Sequence, residues 1–446
     1  MIARIVLFAL ILVLCTMPVS MNAALNLRFV NQNYDYSDSN VYVMFRKGTT
    51  NLFGASYSGG TIALTTSYSF AQLAGGVVLS NIVAGEFFVS LGKPMSVPVT
   101  NSAGKLPGPS PSNIADPDYS TRWDTVEITY TGMPYDAANL TGINLFCVPF
   151  VLSTYDGTNV VQSLGYKVDG DTMISKLQAS ATNDSAVLKD AGGNFLRVLG
   201  PTAYAAGTIG PYQPLQDYID LVRSSGKPIL ISDLFSGKPG VQPPRLTTQR
   251  YQFLTSFTNI LGVDQLIMSG GSPTAGGIGL TNIVTFTYSN IAYQVYANNP
   301  IYTINGMPGG SMADNDVYSA AVRDVFAGFA CGFIGSTAID QVTGLAFQNE
   351  ASSNWFFTSQ TQAFSDVQTT LPYYNGYGEA YWRYSDVYGF PFADRLYSAV
   401  QANLDPARVD TLEITVRPDV VPEPLGVFTV IICAGFAAVR RRKRDV

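Results

Sequence analysis

The chain has 446 residues, a net charge of -6 and only 13% charged side chains, against a usual share of about a quarter. That acidic balance excludes nucleic acid as a partner, because phosphate binding needs clustered cations and the only basic cluster is at the C-terminal end. With no histidine anywhere, Ser-His-Asp and Cys-His machinery and every His-based metal site are excluded, so any hydrolysis must run on carboxylates, with no metal or cofactor expected.

The chain opens with Met1-Ile-Ala-Arg4, an apolar run from Ile5 to Cys15 and a polar stretch ending at Ala23-Ala24. A positive start, a short apolar core and small residues before Leu25 make residues 1–24 a secretory signal peptide. As a helix the apolar core would be about 16 Å long, short of a bilayer core of about 30 Å, which ranks a retained anchor below a cleaved signal.

Residues 25–165 read as a β-sandwich or barrel. The candidate strands are 25–30, 41–45, 61–64, 77–79, 86–90, 125–130 and 143–152, with turn residues at roughly ten-residue spacing and a Pro- and Ser-rich loop from Lys105 to Ser120. Residues 166–410 read as mixed α/β. Residues 213–223 form a helix, with Pro214 in its first turn, Leu215, Tyr218, Ile219 and Val222 on one face, and Gly226 to end it. A strand over 227–232, strands over 282–288 and 291–296, and a helix over 316–329 follow. The strand 411–416 returns to the first domain. Cys147 and Cys331 sit in apolar runs, which favours two buried free thiols over a disulfide.

The tail reads Val421-Pro422-Glu423-Pro424, then Leu425 to Val439 without a charge, then Arg440-Arg441-Arg442-Lys443-Arg444. Such a segment enters the membrane with its cations on the cytoplasmic side, leaving the body outside. The order of Pro-Glu-Pro, apolar segment 425–439 and basic cluster in residues 421–446 resembles the PEP-CTERM sorting signal. The resemblance implies recognition and removal of the tail by an exosortase-type membrane transpeptidase. Export, transient anchoring and then a cell-surface or matrix location follow as expectations.

The stretch with most chemical content is Arg122-Trp-Asp-Thr-Val-Glu-Ile-Thr-Tyr130. As a strand it sets Val126, Ile128 and Tyr130 on one face and Thr125, Glu127 and Thr129 on the other. A carboxylate there faces solvent or a polar cleft. Together with Asn139-Leu-Thr-Gly-Ile-Asn144-Leu-Phe-Cys-Val-Pro149, Ser90-Leu-Gly92, Phe195-Leu-Arg-Val-Leu-Gly-Pro201 and Tyr388-Gly-Phe-Pro-Phe-Ala-Asp394, the stretch resembles the family 64 glycoside hydrolases. That resemblance implies an α+β fold, a thaumatin-like β-sandwich or barrel beside a mixed α/β domain with a wide groove between them, and inverting hydrolysis of β-1,3-glucan. It makes Glu127 the general acid and places the family's base at Asn144, where an amide stands instead of the expected Asp. Asp136, or Asp124 on the opposite face of the strand, is the substitute base, or the chain is a non-catalytic polysaccharide binder. Trp123, Tyr377 and Trp382 are the candidate sugar platforms, with Thr129 beside the acid, and core packing is the competing role for each aromatic.

Overall fold

The computed structural model describes residues 24–47, 53–96, 108–205, 208–235, 249–260, 263–271, 282–296, 300–308, 317–369, 373–396 and 400–420. The expected signal peptide, the Pro-Glu-Pro sequence and the apolar segment 425–439 lie outside these residues. Among the described residues no helix is long and apolar enough to cross a membrane.

The first part of the chain is strand-rich. It contains β1 (Leu25–Asn31), β2 (Val41–Lys47), β3 (Gly54–Tyr57), β4 (Gly60–Thr61), β5 (Ser67–Ser69), β6 (Val77–Leu91), β7 (Arg122–Tyr130), β8 (Ala137–Leu140), β9 (Leu145–Phe146), β10 (Phe150–Asp156) and β11 (Asn159–Gly165). The mixed part adds β12 (Val187–Lys189) and β13 (Phe195–Leu199), which form a small sheet in the order β12-β13-β9, and an antiparallel sheet of β14 (Ile229–Phe235), β15 (Gln249–Ile260), β16 (Val263–Gly271), β17 (Asn282–Thr287), β18 (Thr303–Ile304) and β19 (Met307–Pro308). Its helices are α1 (Gly170–Ala179), α2 (Gln216–Ser225), α3 (Tyr288–Gln294), α4 (Val317–Cys331), α5 (Ser352–Phe357) and α6 (Gly376–Tyr384). The chain then returns to the first sheet with β20 (Gln401–Asn403) and β21 (Thr411–Val416).

The first sheet runs β11-β10-β21-β1-β6-β7-β8-β20, with β2 to β5 branching from β6. β21 lies between β1, which it pairs in parallel, and β10, which it pairs antiparallel. The sheet nearly closes on itself. At the seam, Gln162 of β11 donates to the Gln401 carbonyl at 3.0 Å and accepts from the Asn403 amide at 3.1 Å. The result is a sheet-rich α+β fold with a nearly closed, barrel-like sheet.

Period-two alternation fixes which face goes inside. In β6 and β7, Phe87, Val89, Val126 and Tyr130 are fully buried, while Glu86 and Glu127 stand on the other face. α2 buries Tyr218, Ile219 and Val222 and ends at Gly226 in the left-handed conformation, with φ 62°. Cys147 and Cys331 are free and buried.

Three expected strands differ, and one of them, 143–152, is broken into β9 and β10, which belong to different sheets. The 61–64 candidate contributes only Thr61, at the end of β4. Residues 291–296 are not a strand: Ile291, Ala292, Val295 and Tyr296 are buried at i, i+1, i+4 and i+5, a helical stripe that continues α3 into a last turn. Two candidates at 77–79 and 86–90 join into the single long strand β6, bent by a bulge between Ile82 and Gly85.

Candidate active site

Strand register builds a row of polar side chains across the outer face of the barrel-like sheet. Arg46 of β2 faces Glu86 of β6, Glu86 faces Glu127 of β7, Glu127 faces Asn139 of β8, and Asn139 faces Gln401 of β20. Directly opposed residues have Cβ atoms about 4.5–5.5 Å apart, so each member neighbours the next. Arg46 Nη1 lies 3.7 Å from Glu86 Oε2.

Two cavities meet along this row. One, of about 620 Å³, is lined by Ala84, Glu86, Glu127, Thr129, Tyr135 and Asn139 among others. The second, of about 270 Å³, is lined by Arg46, Glu86, Trp123, Glu127, Ile143 and Asn144 among others. Glu86 and Glu127 belong to both, so they mark the junction of a trough that runs along β7 from Trp123 towards Thr129. The described residues lining the trough all come from 46–145 and from Gln401. The barrel-like sheet itself forms the floor of the trough.

Glu127 is solvent-exposed as a residue and lines both cavities. Desolvation is the first cause of its raised pKa. A hydrogen bond with the Asn139 side chain opposes the rise, and the negative charge of Glu86 adds to it. A carboxyl whose pKa is raised keeps its proton to higher pH than an ordinary glutamate, and in a polar trough it can act as a general acid. Beside it β6 bulges at Ala84, whose φ of 47° is left-handed for a non-glycine residue and whose amide donates to Thr129 Oγ1 at 3.1 Å. Thr129 thus borders the trough with its hydroxyl already engaged.

Asn144 also reaches the trough. Its Oδ1 accepts from Thr202 Oγ1 at 2.7 Å, and its carbonyl accepts from the Gly200 amide at 2.8 Å. The structure therefore brings Glu127 and Asn144 into one cavity, with an amide at the second position. Asp136 is elsewhere. It is 1% exposed and accepts from the Thr131 amide and hydroxyl and from the Met133 amide, so it pins the β7–β8 turn and is no substitute base. Asp124 is buried on the opposite face and accepts from the amides of Thr125, Cys147 and Val148. Burial raises its pKa to about 7, against the pull of those amides, and its work is to hold the chain just after Asn144.

The aromatic expectations need correction. Trp123 is 4% exposed, edge-on to Phe88 at 5.8 Å and covered by the Arg197 guanidinium at 5.3 Å, so its ring face is not free for a sugar. Tyr377 is buried among Tyr212 and Tyr381, and its hydroxyl donates to the Gly142 carbonyl at 2.6 Å. It holds the 141–144 loop from behind. Trp382 is half-buried against the core of the mixed part, away from the trough. Glu86 is the residue that sequence reading missed. A lone carboxylate in Glu86-Phe-Phe-Val-Ser90 was the available signal, the same one that singled out Glu127.

Gly200 supports the Asn144 loop by close approach. A Cβ there would lie 2.3 Å from the Ile143 carbonyl oxygen. Gly200→Ala is expected to cost about 1–3 kcal/mol of stability and to displace Asn144 from the trough. Denaturant unfolding and oligosaccharide affinity both report it, and an unchanged midpoint would show the loop to be compliant.

Paired carboxyl groups facing a cleft are the arrangement that glycoside hydrolases use. Residues 23–226 match the family model for glycoside hydrolase family 64, described as β-1,3-glucanase. A laminaripentaose-producing β-1,3-glucanase solved with laminaritetraose has the same fold. It aligns at TM-score 0.56 and 15% identity, over 89% of this chain and 99% of its own. A β-1,3-glucanase domain of family 64 from Clostridium beijerinckii aligns at TM-score 0.53 and 15% identity, over 89% of this chain and 98% of its own. At these identities the likeness is one of fold. No curated protein matches the chain.

Proposed function

We propose that this protein hydrolyses β-1,3-glucan by an inverting mechanism, with Glu127 as the general acid. The observation that carries the reading is the place of Glu127, at the junction of two cavities with its carboxyl pKa raised by desolvation. A glucan lying along β7 puts a glycosidic oxygen over Glu127, which protonates it as the C1–O bond breaks while water attacks the opposite face of C1. Asn144 in place of the family's Asp favours a second reading, a glucan binder without turnover.

Reducing-sugar release from laminarin separates the two. Release, with cellulose and xylan left intact, is expected. Binding of laminari-oligosaccharides without release would favour the binder, and neither would end both readings. The termini support a further proposal, export followed by exosortase sorting at the cell surface. Mass spectrometry is expected to find a mature C-terminus near Pro422 to Pro424, whereas peptides from Arg440 onward on the surface protein would argue for an ordinary anchor.

A further inference from the structure

We infer that Glu86 is the second catalytic carboxylate, the general base that activates the attacking water in place of the carboxylate missing at position 144. The inference rests on the glucanase reading above and deepens it. Glu86 is directly opposite Glu127 on the neighbouring strand, projects to the same face and lines both cavities at their junction. Among the described residues lining the trough, it and Glu127 are the only carboxylates.

The spacing follows from what each carboxyl leans on. Opposed Cβ atoms start about 4.5–5.5 Å apart. Arg46 draws Glu86 towards β2, with Nη1 at 3.7 Å from Oε2. Asn139 draws Glu127 the other way, towards β8, through the hydrogen bond between their side chains. The two carboxyls are therefore pulled apart, opening towards the separation of about 6.5–9.5 Å that leaves room for a water between acid and base. The charges are divided in the required sense as well. Glu86 is the ion-paired member and Glu127 the one whose protonated form the trough favours, an environment that sorts two carboxyls into base and acid.

In the step itself, a water oxygen bonds to C1 of one glucosyl unit as the bond from C1 to the next unit's oxygen breaks. The water proton passes to Glu86, and the Glu127 proton passes to the departing oxygen. Glu86 then loses a proton to solvent and Glu127 regains one. No other reactant is consumed.

The test compares wild type, Glu86→Gln, Glu86→Ala and Glu127→Gln on laminarin, with laminari-oligosaccharide affinity measured for each. Glu86→Gln is expected to lower kcat about 10²- to 10⁴-fold while affinity changes less than about threefold. Azide needs no base, so it is expected to restore turnover to Glu86→Ala, yielding the inverted glycosyl azide, and not to Glu127→Gln. Wild-type hydrolysis matched by Glu86→Gln overturns the role of Glu86 and leaves the glucanase reading standing. Loss of turnover together with loss of affinity, or without azide rescue, reduces Glu86 to a structural residue and overturns the inference. A wild-type protein that releases no sugar overturns both.

Discussion

Glu127→Gln is expected to lower kcat on laminarin by about 10²- to 10⁴-fold with little change in oligosaccharide affinity. The amide keeps the shape of the side chain and its place between Glu86 and Asn139, but it has no acidic proton to give the departing oxygen. A substrate that needs no such proton sharpens the reading. An aryl laminarioside with a strongly acidic phenol as leaving group should lose far less rate than laminarin. Equal losses on both substrates would mean that Glu127 is not the acid.

The pH dependence follows from the direction of the shift. Desolvation raises the pKa of Glu127, so the protonated form that acts as acid persists to higher pH than for an ordinary glutamate, and activity falls on the alkaline side as that pKa is passed. The stability consequence has the same sign. A carboxyl whose folded pKa is raised contributes stability that is present below its unfolded pKa and is lost as pH rises through the folded pKa. Glu127→Gln should therefore raise the melting temperature at neutral pH and leave it nearly unchanged near pH 3. A site that gains stability when its acid is removed is one arranged for reaction.

What the sequence reveals of this site, and what it hides, divides along the distance over which each property is set. The two faces of β7 are local, because alternation alone separates Val126, Ile128 and Tyr130 from Thr125, Glu127 and Thr129, and the structure divides them in that way. The C-terminal end of α2 is local too, since Gly226 supplies the left-handed residue that stops it. The pairing of Glu86 with Glu127 is not local. It depends on which strand lies beside β7 and in what register, and a bulge at Ala84 shifts that register within β6. Likewise the hydroxyl of Tyr377 and the ring of Trp123 look ready for sugar until the fold packs one under the Gly142 carbonyl and the other beneath Arg197. Asn144 was legible as a missing carboxylate, but the carboxylate that stands nearest Glu127 comes from a strand more than forty residues earlier.

The largest stability effect is expected from a residue far from the trough. Arg395→Met should cost about 3–5 kcal/mol, because it leaves buried acids without their cation. The Arg395 guanidinium pairs with Asp324 at 2.6 Å through Nε and with Asp233 through Nη2, and it contacts the Tyr251 hydroxyl at 3.2 Å. Asp324 is fully buried and also accepts from Tyr251 at 2.8 Å and Ser352 at 2.9 Å, so one network ties β14, β15, α4 and α5 together. Burial already raises the pKa of Asp324, and Arg395 is the chief influence holding it down. Without the cation the shift grows, so the variant's deficit should be greatest at neutral pH and smaller when measured at pH 4, as Asp324 takes up its proton on the acid side. Adding Asp324→Asn to Arg395→Met should recover part of the loss. Urea unfolding at the two pH values measures both effects. A deficit that does not change with pH would assign the loss to packing against Phe356, which the guanidinium covers at 5.8 Å, rather than to unpaired charge.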